Sequence, residues 1–257
     1  METSQVQDYL LYLGLNDTRQ RSSLGLSVAE ASPATVRQAD VLEDTSLATF
    51  DQIWVYTRST FAEQTTPAIQ VVSDASTVLT VNFTDEDLDE GELGGKIAFD
   101  VASGDTSQVV IFAAYGADSE DGRGYRLALG TVQLGTWSLD VSPELSVQNF
   151  SHLLLYARSS LFEQTTPAII ELTDVNASVS GTSFTDLDLD SEELGGLVSW
   201  ILPYNMAQVV YYNVYLADGL GTNRSQINGP LPATADSIVL PPNTPRQQYT
   251  SLAPCHD

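Results

Sequence analysis

The chain has 257 residues, 42% of them hydrophobic, enough to bury a sizeable core; its 34 Asp and Glu against 10 Lys and Arg leave a formal charge of −24. That charge opposes phosphate backbones and anionic lipid surfaces, which disfavours nucleic acid and membrane binding, while clustered acids favour multivalent cations. The single cysteine, Cys255, excludes an internal disulfide framework and a cysteine-based metal site and leaves the redox compartment open.

Taken in chain order, the apolar runs are short and bounded by Gly, Asp, Asn, Pro or Ser, which is the pattern of strands rather than of helices. Residues 9–15 (YLLYLGL) lack a basic n-region and read as a strand, not a signal peptide. No run approaches the roughly 20 apolar residues of a membrane span. The stretch around Tyr12 returns around Tyr115 and again around Tyr215. YTRSTFAEQTTPAI (56–69) returns as YARSSLFEQTTPAI (156–169), and FTDEDLDEGELGG (83–95) as FTDLDLDSEELGG (184–196). A period of about 100 residues is one sandwich domain per repeat. It divides the chain into an incomplete unit at 1–79 lacking its first two strands, a complete unit at 80–180, and an incomplete unit at 181–257 lacking its last strands. In the complete unit the expected strands are A before Phe83, B at 96–101, C at 109–115, C′ near Arg126, E near 137–139, F at 153–156 and G at 168–172. Seven such strands predict an all-β chain of antiparallel β-sandwiches. The truncated end units are expected to leave unpaired strand edges, and the partners expected are other repeats or other copies of the chain, or an unknown surface protein or glycan.

In the third unit LVSWILP (197–203), followed by YYNVYLAD (211–218), resembles the strand B tryptophan with its trailing proline and the strand C tyrosines of the fibronectin type III family. LPPNT (240–244) ahead of Tyr249 resembles that family's turn into strand F; the middle unit carries Phe99 where the third has Trp200. The repeat as a whole, FTDxDLDxxELGG through NRSQI to SxxxEQTTPAI, resembles tandem-repeat surface proteins of unicellular algae. The first resemblance implies tandem immunoglobulin or fibronectin type III-like sandwiches that bind or space; the second implies a cell-surface setting and no assigned activity.

The acidic stretch is the constellation with chemical content. Asp85, Asp87 and Asp89 alternate, as do Asp186, Asp188 and Asp190, so an extended chain would turn each trio to one side, with Glu92 and Glu193 adding a fourth acid. A hard cation taking several oxygens relieves that repulsion, and calcium suits an irregular site better than magnesium. The EF-hand pattern fails, since its glycine and glutamate positions hold Glu90 and Lys96 in one copy and Ser191 and Leu197 in the other. What remains resembles cadherin-like junctions, which imply Asp74 as the donor joining the first cluster and Asp174 as the donor joining the second. The competing reading is that acids on an edge strand block aggregation.

Gly94-Gly95 and Gly195-Gly196 read as bulges or tight bends at the entry to strand B. Five of the nine asparagines (Asn16, Asn82, Asn149, Asn176 and Asn223) open glycosylation sequons, which favours an extracellular context. His152 and His256 are the only imidazoles, so a Ser or Cys nucleophile lacks an evident base. Acids packed in a repeated stretch suit a metal better than the paired carboxylates of glycoside hydrolysis. The function expected is a non-catalytic extracellular structural or adhesive module, calcium-stiffened at its junctions. A carbohydrate-binding module is the alternative, but Trp54, Trp137 and Trp200 fall at three different strand positions.

Overall fold

The structure, a computed structural model, describes residues 5–16, 19–30, 37–74, 76–218 and 223–256. Every element among them is a β-strand, and all pairings are antiparallel. The chain divides into two compact units, one of Met1–Thr77 with Gly104–Gln108 and Ser160–Thr165, the other of Val78–Ser103, Val109–Ser159 and Thr166–Asp257.

The first unit holds one sheet, ordered β2-β1-β3-β4, from β1 (Asp8–Gly14), β2 (Arg21–Ala29), β3 (Gln52–Arg58) and β4 (Ala68–Val71). By repeat position these correspond to strands C, C′, F and G; among the described residues between β2 and β3 there is no strand. Strand alternation puts Tyr12, Trp54 and Tyr56 on one face, where Tyr12 meets Tyr56 edge to face at 5.5 Å and the Arg21 guanidinium lies 4.2 Å over Tyr12. Gly14 is required by close approach, since a Cβ there would come within 2.1 Å of the Trp54 ring. The middle repeat solves the same packing with Ala117 against Leu154.

The second unit opens with β5 (Thr77–Asp85), β6 (Glu92–Gly104), β7 (Ile111–Ala117), β8 (Arg126–Gln133), β9 (Ser138–Ser146), β10 (His152–Arg158) and β11 (Ala168–Glu171). These are the seven expected strands A to G, split into a β5-β6-β9 sheet and a β11-β10-β7-β8 sheet. Leu79, Ile97, Phe99, Phe112, Leu153 and Leu155 fill the space between them. Burying a large apolar side chain of this kind stabilises by about 1.5–3 kcal/mol.

The third repeat follows with β12 (Ser180–Phe184), β13 (Glu193–Ile201), β14 (Tyr211–Ala217), β15 (Arg224–Pro232), β16 (Ser237–Pro245) and β17 (Ser251–His256), in sheets β12-β13-β16 and β15-β14-β17. Its core is Val198, Trp200, Tyr212, Val214 and Leu240. Trp200 meets Tyr212 at 5.7 Å where the middle repeat sets Phe99 against Phe112 at 5.0 Å, so the Trp-to-Phe exchange between repeats keeps an aromatic pair across the two sheets. β17 is the outer strand of its sheet, and no strand G lies beside it among the described residues.

Both double glycines sit at bulges. The β6–β9 register shifts between Leu93 and Gly95, and the β13–β16 register between Leu194 and Gly196. Gly95 (φ 125°) would drive a Cβ to 2.8 Å from the Thr84 carbonyl, and Gly195 would meet Pro242 at 2.9 Å. The first approach packs Gly95 against strand A and the second packs Gly195 against the end of strand E, on either side of the segment that joins strands A and B. That segment carries the acids.

Candidate functional site

The extended-strand reading of the acidic trios is corrected by the structure. Only Asp85 lies on a strand, at the end of β5; residues 86–91 form a loop, and β12 ends at Phe184, ahead of Asp186. The alternation serves a different geometry, in which the first two aspartates of each trio accept a hydrogen bond from the amide two residues on. Asp85 Oδ1 accepts from the amides of Asp87 (3.2 Å) and Gly94 (2.9 Å), and Asp186 Oδ1 from those of Asp188 (3.1 Å) and Gly195 (3.0 Å). Asp87 Oδ1 accepts from the Asp89 amide and its Oδ2 from the Glu144 amide; Asp188 does the same with Asp190 and Asn243. Glu144 and Asn243 hold the same place at the end of strand E, both with positive φ (65° and 60°). The loop is thus a scaffold in which carboxylates satisfy backbone amides, built twice on the same plan.

The two copies differ in what covers them. Asp85 and Asp87 are buried, whereas Asp186 is exposed and Asp188 half-buried. Asp85 Oδ2 accepts a further bond from the Val175 amide (2.9 Å), and the Asp85 carbonyl accepts from the Gln208 side chain (2.8 Å) in the turn before β14. Leu88, between the aspartates, is 7% exposed and belongs to the buried cluster of the third sandwich with Ala177, Val198 and Val209; the Ala177 amide donates to its carbonyl. Its counterpart Leu189 is 98% exposed. Burial pushes the Asp85 carboxyl above its ordinary range, against the lowering pull of the amides of Val175, Gly94 and Asp87.

Asp174 does not sit as its expected grouping with residues 186–193 requires. Its carboxylate accepts from the Gly91 amide at 2.8 Å, on the first acidic loop. Asp74 is exposed and belongs to the first compact unit. Sequence reasoning missed Glu144. With Asp87 and Glu92 it can bring one carboxylate oxygen each to within 4.8 Å of one another, as Asp188, Asp190 and Glu193 do in the second loop. The Glu92 carboxyl is held above its usual range, first by a hydrogen bond with Glu144, then by burial and by the charges of Glu144, Asp87 and Asp89. These oxygen sets could hold a hard cation; Asp85 takes no part in either, and Asp89 and Asp186 stand outside them.

Other expected features fall as follows. Asn16, Asn82, Asn149, Asn176 and Asn223 are all exposed. His152 Nδ1 lies 2.8 Å from the Oγ of its chain neighbour Ser151, a contact the sequence reading did not anticipate; Ser151 Oγ also reaches the Asp118 carbonyl at 3.3 Å. Trp54 and Trp200 are 6% and 4% exposed, and Trp54 Nε1 donates to Gln52, so neither presents a free ring face. An open groove on the first sheet is lined by Arg21, Gln52, Glu63 and Gln64 together with Trp54 and Tyr56.

No family model matches the chain, and no curated protein matches it. Among solved structures the chain is similar to a tetra-tandem repeat in the extending region of a large adhesion protein, at 10% identity and a TM-score of 0.25, over 91% of this chain and 58% of that one. The chain therefore spans little more than half of that structure. It is also similar to a two-domain fibronectin type III segment from chicken tenascin, at 17% identity and a TM-score of 0.27, over 71% of this chain and 98% of that one.

Proposed function

We propose that this chain is a non-catalytic, extracellular structural or adhesive segment, a spacer in which the acidic loop of one sandwich locks the next in place. The observation that carries the reading is Leu88. It leaves its own sandwich to join the buried core of the following one, while Asp85 binds Val175 and Gln208 on either side of it. A junction built this way transmits position along the chain instead of acting as a free linker. Five exposed sequons and a strongly acidic surface support an extracellular setting. An antibody raised against residues 80–180 should label unpermeabilised cells expressing the parent protein. Labelling that needs permeabilisation would contradict the reading.

Calcium is the proposed ligand of the acidic loops. Asp87, Glu92 and Glu144 would hold it in the first, and Asp188, Asp190 and Glu193 in the second. The donors are hard oxygens on an irregular loop, which fits Ca²⁺ better than the strict octahedron of Mg²⁺. A bound cation would relieve the repulsion among these clustered carboxylates and would stiffen the loop from within. Affinity is expected on the order of 10⁻⁴–10⁻³ M, the range of extracellular modules. Calorimetry on the chain should show calcium heat that Glu144→Gln reduces and the Asp188→Asn variant reduces separately; no heat in the parent chain would leave the acids as backbone caps alone.

A further inference from the structure

The linker that joins the middle and third sandwiches, residues 172–179, turns alternate side chains in and out. Val175, Ala177 and Val179 pack into the core of the third sandwich, and Ala177 is 1% exposed. The amides of Val175 and Ala177 donate to Asp85 Oδ2 and to the Leu88 carbonyl, so both residues are fixed through the backbone as well. Asn176 and Ser178 alternate with them and are exposed. They are the first and third positions of the sequon Asn176-Ala177-Ser178, and the fold links them directly: Asn176 Oδ1 accepts from the Ser178 amide at 2.9 Å. That bond engages the side-chain oxygen and leaves Nδ2, the atom to which an N-glycan attaches, without a partner among the described residues. The other sequons whose residues are all described are placed differently. Asn223 donates from Nδ2 to Asp218 Oδ2 at 2.9 Å, Phe150 in the Asn149 sequon is buried, and Asn82 lies within β5. Asn176 is the one among them set in a connection between two sandwiches.

We propose that Asn176 carries an N-linked oligosaccharide that shields this linker. The proposal rests on the extracellular reading, because the acceptor sequence is used on chains that enter the secretory route. Transfer joins Asn176 Nδ2 to the anomeric carbon of a lipid-linked oligosaccharide. The bond from that carbon to the lipid diphosphate breaks, the diphosphate leaves with the electron pair, and the amide gives up one proton to a base on the transferase. Nothing is oxidised or reduced. Transfer precedes docking of the linker, since Val175 and Ala177 are tied down on either side of Asn176 once the junction has formed. The folded chain accommodates the product without rearrangement: Oδ1 keeps its bond to the Ser178 amide, and the attachment point lies on the exposed side of the linker. A bulky, hydrated oligosaccharide anchored there covers a connection otherwise open to proteases.

The test uses the chain secreted from a eukaryotic host behind a cleavable leader, and the parent protein recovered from its own cells. Release of N-glycans by an amidase in heavy-oxygen water turns each glycosylated asparagine into a labelled aspartate, which peptide mass mapping locates. Asn176 should carry the label in both preparations. Ser178→Ala removes the sequon but keeps the backbone amide that holds Asn176, so it should abolish the label there and leave the labels elsewhere; Ser178→Thr should retain it. Limited proteolysis should cut the linker at least about threefold faster in Ser178→Ala than in the glycosylated parent chain. Label at other sequons with none at Asn176 overturns the proposal and leaves the extracellular reading standing. No label at any sequon of the parent protein overturns the proposal and also withdraws the sequons as support for that reading. Equal cutting rates overturn the shielding role.

Discussion

The loops at 83–95 and 184–196 share a sequence, a hydrogen-bond scaffold and a place in the fold, yet one is buried in a junction and the other lies open. Asp85 and Asp186 tie down equivalent pairs of amides, and the aspartates two residues on reach the same point at the end of strand E. What separates them lies outside the loop: Val175, Ala177 and Gln208 cover the first. The comparison assigns two tasks to two residue types. The aspartates shape the loop in either setting, and the leucine between them matters only where a neighbouring sandwich receives it.

The sharpest way to break that comparison is to remove the leucines one at a time. Leu88→Ala should cost about 2–4 kcal/mol of stability in urea denaturation, as for other buried leucines, whereas Leu189→Ala should stay within about 0.5 kcal/mol of the parent. Next come the scaffold aspartates. Asp85→Asn sets an amide NH₂ against backbone donors in a buried site and should destabilise by about 1–3 kcal/mol; Asp186→Asn, in an exposed loop with solvent at hand, should cost less than about 1 kcal/mol.

Much of this architecture is legible in the sequence, for local reasons. All seven strands of the middle repeat fall at the expected places because each apolar run is short and punctuated by turn residues, and the Gly-Gly pairs fall at bulges for the same reason. The site was less legible. An Asp-x-Asp-x-Asp run fits an extended strand and a chain of side-chain-to-amide turns equally well, and what decides is the location of the unsatisfied amides, Gly94 and Glu144 among them. Glu144 is 52 residues from Glu92 in sequence (144 − 92) and comes beside it only through the β6–β9 pairing of Glu92 with Ser146. Comparing repeats could have flagged the position, since Pro143-Glu144 and Pro242-Asn243 align. Nothing local marks Leu88 as leaving its own sandwich, because the Asp-Leu-Asp around it is repeated around Leu189.

Calcium gives a smaller handle on the same pair of loops. At a tenfold excess over Kd a cation bound to the folded chain alone adds about 1.4 kcal/mol, so melting temperature should rise in millimolar calcium and fall back with chelator. Glu144→Gln should blunt the response of the first loop and spare that of the second, where Asn243 occupies the equivalent position.

The pH response of Asp85 is a finer test of its burial. Its folded-state pKa is raised above the ordinary 3.8, chiefly by desolvation, so the folded state binds this proton more tightly than the unfolded one. The stability it contributes is complete below pH 3.8 and is lost as pH rises through the higher, folded-state value. The stability difference between the parent and Asp85→Asn should follow that sign, measured by denaturation from below pH 3.8 to neutrality.

The central claim is that Leu88 and the loop around it hold the third sandwich to the middle one. Spin labels placed on exposed positions of strands β8 and β15, in a Cys255→Ser background, report the distance distribution between these two sandwiches by pulsed electron resonance. A narrow distribution in the parent that broadens markedly in Leu88→Asp, and stays narrow in Leu189→Asp, is the result predicted. Distributions of equal width in the parent and in Leu88→Asp would contradict it.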